Sequence, residues 1–170
     1  AYGFFGMLWH ETDLVLYFSH VLLKLSSLKG FNDLDIHVNY TLRPQNFVRN
    51  VVLYERLMRA ISGLRKELRI RGWYPEVDLI LDDPHELAFR MCIELKYYHY
   101  EPMKFRGVSP AEELRRKNAV LRRLVEMNVC EDAAILILDD YLNRNAANEY
   151  NDLVKELISC EKDGILVIIY

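Results

Sequence analysis

The period of the apolar positions changes several times along the chain, and each change marks an element. Leu14, Leu16, Phe18, Val21, Leu22 and Leu25 fall on a broad helical face, with Thr12 or Asp13 as N-cap and Gly30 as the stop. Asp35-Ile36-His37-Val38-Asn39-Tyr40 alternates polar and apolar residues, which predicts a short strand before Pro44. From Gln45 to about Arg71 the period becomes helical, with Phe47, Val51, Tyr54, Met58, Ile61, Leu64 and Leu68 on one side and Gly72 as terminator. Val77–Leu81 is a strand dense in branched residues, Asp82-Asp83-Pro84-His85 is turn chemistry, and Phe89 to about Tyr98 returns as an antiparallel partner.

Ser109-Pro110 opens another helix, with serine at the N-cap, proline at the first position and Glu112 and Glu113 in the first turn, reaching about Met127. Ala133–Leu138 fits a buried strand, Ala146–Cys160 a helix and Gly164–Ile169 a last strand. The order from residue 45 is thus α-β-β-α-β-α-β. Two strand-helix-strand steps imply parallel pairing by right-handed crossover, so the expected class is α/β, a mixed β-sheet flanked by helices. Residues 1–44 read as an N-terminal accessory lobe and residues 45–170 as the main domain.

Composition narrows the function classes. The chain has 170 residues, 51% hydrophobic and 28% charged, enough to bury a core without metal or disulfide. Its net charge of −3 argues against a coat protein held to nucleic acid by bulk positive charge. That sum hides a basic middle: the net charge is −2 over residues 1–42, +6 over 43–123 and −7 over 124–170. Screening over about 10 Å lets a local basic surface bind phosphates on an anionic molecule.

Cys92, Cys130 and Cys160 are widely spaced with no C-x-x-C, so neither a disulfide framework nor a thiolate zinc site is indicated. The first apolar residues lack a basic leader, and the longest later charge-free run, Leu14–Leu23, is ten residues against the roughly 20 needed to span a bilayer. The expectation is a soluble, intracellular, cytoplasmic protein without membrane contact. No P-loop, G-x-G-x-x-G or G-x-S-x-G is present, so no organic cofactor is expected.

The chemistry concentrates in Pro75-Glu76-Val77-Asp78 and Ile93-Glu94-Leu95-Lys96. Strand alternation puts Glu94 and Lys96 on one face. A register opposing Ile80 to Cys92 sets Asp78 opposite Glu94, close enough for the two carboxylates to share a cation. Facing carboxylates repel unless something positive intervenes, and here Lys96 and a divalent ion can supply it. Oxygen ligands without His or Cys favour Mg²⁺ or Mn²⁺ over zinc. Such an ion activates water, while an adjacent lysine orients it or stabilises the transition state of phosphodiester hydrolysis.

These residues resemble the PD-(D/E)XK nuclease superfamily, the restriction-endonuclease-like fold that includes Holliday junction resolvases. Asp78 matches its first acidic position and Glu94-Leu95-Lys96 its E-x-K triplet, over roughly residues 45–140. The Pro-Asp pair is replaced by Pro75-Glu76-Val77-Asp78, which leaves Glu76 as a substitute candidate. The resemblance implies that Asp78, Glu94 and the backbone carbonyl of Leu95 ligate Mg²⁺ and that Lys96 assists the attacking water. It also implies a glutamate from the preceding helix. At 100° per residue from Val51, Glu55 lies at about +40°, bordering an apolar stripe centred near −50°, whereas Glu67, at about +160°, points to solvent. Glu55 is therefore the auxiliary candidate.

Lys104, Arg106, Arg115 and Arg116, with Lys117, Arg122 and Arg123, are candidate phosphate contacts, and the bland alternative is helix charges paired with Glu112, Glu113 and Glu126. Tyr97, Tyr98, His99 and Tyr100 are candidates for base stacking or strand packing. The resulting expectation is a Mg²⁺-dependent DNA endonuclease or junction-resolving enzyme, acting as a homodimer because duplexes have two strands to cut. The competing expectation is an inactive nuclease fold that serves as a nucleic-acid-binding or assembly module.

Overall fold

The computed structural model describes residues 11–28, 34–98 and 108–170, with the side chains of 27 and 28 excepted. A first helix, α1 (Glu11–Leu28), precedes strand β1 (Asp35–Thr41). A 3-10 turn at Pro44–Phe47 leads into α2 (Val51–Glu67), whose N-cap Asn50 accepts from the Leu53 N–H at 3.0 Å. The hairpin strands are β2 (Glu76–Asp82) and β3 (Phe89–Tyr98). Then come α3 (Pro110–Glu126), β4 (Cys130–Asp139), the short α4 (Leu142–Asn145), α5 (Ala147–Lys162) and β5 (Leu166–Ile169). As expected, Ser109 caps α3, its hydroxyl accepting from the Glu112 N–H at 3.2 Å.

The five strands form one mixed sheet in the order β1-β2-β3-β4-β5, antiparallel across the first two junctions and parallel across the last two. The α/β class and the helix-flanked mixed sheet are as the pattern predicts. The segment set apart as an accessory lobe supplies an edge strand and a covering helix to this same sheet: β1 pairs with β2, and Leu14 and Val15 of α1 pack on Leu79, Ile93, Leu95 and Ala134. Alternating strands have two faces to bury, and without α1 that one would be open.

The opposite face lies under α2, α3 and α5, where Leu57, Leu64, Leu121, Leu124 and Leu153 meet Ile80, Cys92 and Ile135. Each fully buried aliphatic side chain contributes about 1.5–3 kcal/mol. The three cysteines are buried free thiols. Among the described residues no helix is long and apolar enough to cross a membrane.

Helix α2 is rotated relative to the expected stripe. Leu53, Leu57, Ala60, Ile61 and Leu64 face inward, whereas Val51 and Met58 are exposed. Both stripes have helical spacing, and the leucine-rich one packs against the sheet and α3 while Phe47 leaves the helix in the 3-10 turn.

Candidate active site

The hairpin adopts the expected register: Leu79 opposes Ile93, Ile80 opposes Cys92 and Leu81 opposes Met91. Ladder pairing then stops, although both strands continue. Val77 joins the cluster under α2 and α3, while Leu79 joins the one under α1, so face alternation slips at Asp78. On the neighbouring strand Asn39 has φ 48°, a left-handed conformation that asparagine tolerates, and it is the one residue of β1 between paired neighbours without a ladder partner. Asp78 fills the gap, its Oδ2 accepting from the Leu95 N–H at 2.8 Å. A side-chain oxygen thus replaces a strand carbonyl, and β2 parts from β3 around a cleft.

That cleft has a volume of about 450 Å³ and is bordered by Asp78, Lys96 and Glu76 of the hairpin, Glu11 of α1, and Glu113, Arg116, Lys117 and Val120 of α3. The α3 residues recur three and four apart, so they form one face of the helix. Glu94 sits behind them, 1% exposed. Lys117 Nζ contacts both of its oxygens, donating to Oε1 at 2.9 Å and lying 2.8 Å from Oε2. Burial pushes the Glu94 carboxyl well above the usual carboxylate range; Lys117 opposes this, and the nearby Asp78 carboxylate adds to it.

Lys96 is also buried, and its Nζ contacts Glu11 Oε1 at 2.9 Å and Glu113 Oε1 at 3.0 Å. Burial alone would lower its pKa, but Glu11, Glu113 and Glu94 together outweigh it and raise the value above that of a free lysine. Lys96 is therefore a fixed cation. Burial, then Glu113, raises the Tyr98 hydroxyl in the same neighbourhood.

Asp78, Glu94 and Lys96 are thus brought together, but the neutralising partners differ from those expected. Lys117, read as a phosphate contact, faces Glu94, and Lys96 is held by Glu11 and Glu113. The spacing of Glu113, Arg116, Lys117 and Val120 was a usable signal for the α3 partners. Nothing local to Lys96 could have pointed to Glu11.

Glu55 is corrected by the rotation of α2: its side chain is 60% exposed, pairs with Arg59 at 3.9 Å and does not border the cleft. Glu67 lies nearer the packed side and pairs with Arg122 and Arg123 of α3. Arg116 borders the cleft and pairs with Glu112 at 2.6 Å, whereas Arg115 is turned to Glu156 on α5, away from the cleft. Lys104, Arg106, His99 and Tyr100 lie outside the described residues. Tyr98 is buried in the core and Tyr97 is half-buried over the α1 side.

Comparison with known proteins finds no matching family model, curated protein or solved structure. The site's chemistry has to be argued from its own atoms. Among the described residues no three His, Cys, Asp or Glu side chains converge as a metal-holding group. Two carboxylates do converge, and Lys117 already places one positive charge against both oxygens of the buried Glu94, so a divalent ion would have to share or displace that ammonium. The donor set is all oxygen, which suits a hard divalent ion.

Proposed function

We propose that the protein is a Mg²⁺-dependent DNA nuclease of the PD-(D/E)XK kind, an endonuclease or junction-resolving enzyme. The observation that carries this reading is the parting of β2 and β3 at Asp78, which opens a cleft beside two carboxylates and two buried or half-buried lysines. Asp78 and Glu94 would hold the ion, with the Leu95 carbonyl as the backbone ligand that the resemblance implies. Bound there, Mg²⁺ or Mn²⁺ supplies an activated water and neutralises charge on a phosphate oxygen.

The chain's own groups do the rest. Asp78 is oriented by the Leu95 N–H, so its carboxylate enters the site with one oxygen already fixed. Lys96 stays protonated and contributes positive charge to the developing phosphorane rather than accepting a proton. Arg116, which borders the cleft from α3 and is paired with the partly exposed Glu112, would contact phosphate oxygens, while Lys117 would offset the charge of Glu94. Action on two strands makes a homodimer part of the proposal, and a monomer by light scattering at working concentration would count against that part.

One observation favours the second reading, a nuclease fold that binds without cutting: Lys117 touches both Glu94 oxygens, and Lys96 is fully engaged by Glu11 and Glu113. Incubation of labelled single-stranded, duplex, flapped and four-way DNA with Mg²⁺, Mn²⁺ or chelator separates the two. Cleavage that needs the ion and is lost in Asp78→Asn, Glu94→Gln and Lys96→Met supports the enzyme. DNA binding with no cleavage of any substrate in either metal leaves only the binding module.

A further inference from the structure

The lining of the cleft is of two kinds. Besides the carboxylates and lysines, the cleft is lined by apolar side chains: Leu68, Ile70 and Trp73, from the turn between α2 and β2, and Val120 of α3. This turn is firmly built. Arg65 Nε donates to the Trp73 carbonyl at 3.0 Å, its guanidinium lies 4.9 Å from the Tyr74 ring centroid, and the Ile70 N–H reaches the Arg65 carbonyl at 3.1 Å. Gly72 has φ 67°, and Arg69 has φ 55°, a left-handed conformation unfavourable for arginine. Arg69 and Arg71 alternate with the wall residues, are exposed, and form no ion pair among the described residues.

A preorganised apolar and aromatic wall in the same cleft as a charged floor, with the exposed Arg69 and Arg71 next to it in the chain, matches one nucleotide: a flat base joined to a phosphate. At about 450 Å³ the cleft falls in the size range of sites that enclose a single ligand-sized unit. A base within a duplex has both faces covered and its edge paired, so it reaches such a wall only after leaving the stack.

We propose that this wall receives the base of an unpaired nucleotide on Trp73, with its phosphate toward Arg116 and the adjoining phosphates on Arg69 and Arg71. The substrate class is then DNA that offers an unpaired nucleotide, as a junction, flap, frayed end or single strand, rather than continuous duplex. Recognition follows the π-face of the base, so it tolerates any sequence. This inference rests on the nuclease reading and names the substrate of that site.

The test is fluorescence anisotropy of the full chain with a labelled single strand and with a blunt duplex of the same sequence, in Ca²⁺, followed by cleavage in Mg²⁺. The single strand is expected to bind more tightly. Trp73→Ala should weaken it about tenfold while duplex binding stays within about twofold, and Trp73→Phe should restore most of the loss. Because Trp73 also packs against the core, quenching of tryptophan emission by the single strand but not by the duplex in Trp9→Phe, where Trp73 is the one remaining tryptophan, provides a readout that leaves the wall intact. Equal binding of both forms, no quenching, or equal losses on both in Trp73→Ala would overturn the inference. If duplex is nevertheless cut in Mg²⁺, the nuclease reading survives that result. If no DNA is bound or cut, both fail.

Discussion

Replacing Lys117 by Met tests the electrostatics of the site without touching a proposed metal ligand. The ammonium lies 2.8 and 2.9 Å from the two oxygens of a carboxylate that is 1% exposed. A unit pair at 4 Å in an effective dielectric of 20 is worth about 4 kcal/mol, and leaving one partner buried and charged costs about 3–5 kcal/mol. Glu94 can escape part of that cost by taking a proton. The sign follows from linkage: a carboxyl whose folded pKa is raised stabilises most below the unfolded value, and that contribution is lost as pH rises toward the folded pKa. Losing Lys117 removes the main group opposing this rise.

The variant should therefore lie closest to wild type at low pH and fall below it as pH rises, by up to about 3–5 kcal/mol once Glu94 is ionised and with a decline no steeper than about 1.4 kcal/mol per pH unit. Urea unfolding at pH 5, 7 and 8 measures this, and for a chain of this size each loss of about 1 kcal/mol lowers Tm by about 2–4 °C. Adding Glu94→Met to Lys117→Met should recover much of the loss, since apolar replacement of both partners leaves no buried charge. A loss under about 0.5 kcal/mol at every pH, or one independent of pH, would refute the assignment of Lys117 as the counter-ion of Glu94.

Two further outcomes follow from the same geometry. Because Glu11 and Glu113 hold Lys96 protonated, the pH–rate profile of cleavage should show no limb between about pH 7 and 9 that disappears in Lys96→Arg; such a limb would make Lys96 a proton acceptor. Glu55→Gln should cleave within about twofold of wild type and unfold within about 0.5 kcal/mol of it, as expected for an exposed surface group; a tenfold loss of cleavage would place Glu55 at the site after all.

Much of this arrangement is written locally in the chain. Side-chain parity on a strand has a period of two, so Ile80 opposite Cys92, and with it the shared neighbourhood of Asp78 and Glu94, follows once the turn at 82–85 is recognised. Ser109-Pro110 marks a helix start because the hydroxyl caps an N–H three residues away. Such interactions span a few residues, so a pattern in the sequence is enough to reveal them.

The charges around those residues are another matter. Glu11 is 85 positions from Lys96 and Lys117 is 23 from Glu94, and no periodicity links them. Helix α2 shows the same limit from the other side: two stripes could satisfy a 3.6-residue period, and packing against the sheet and α3 chose the one with Leu53, Leu57, Ala60 and Leu64. That choice turned Glu55 outward and brought Glu67 to Arg122 and Arg123. The parting of β2 and β3 also arises only in the assembled sheet, where Asn39, Val77 and Asp78 come side by side. The sequence alone determined which residue types and strand faces the site would use; only the tertiary structure decided how their charges are balanced, because neutralising a buried carboxylate or ammonium depends on distance in space and not on distance along the chain.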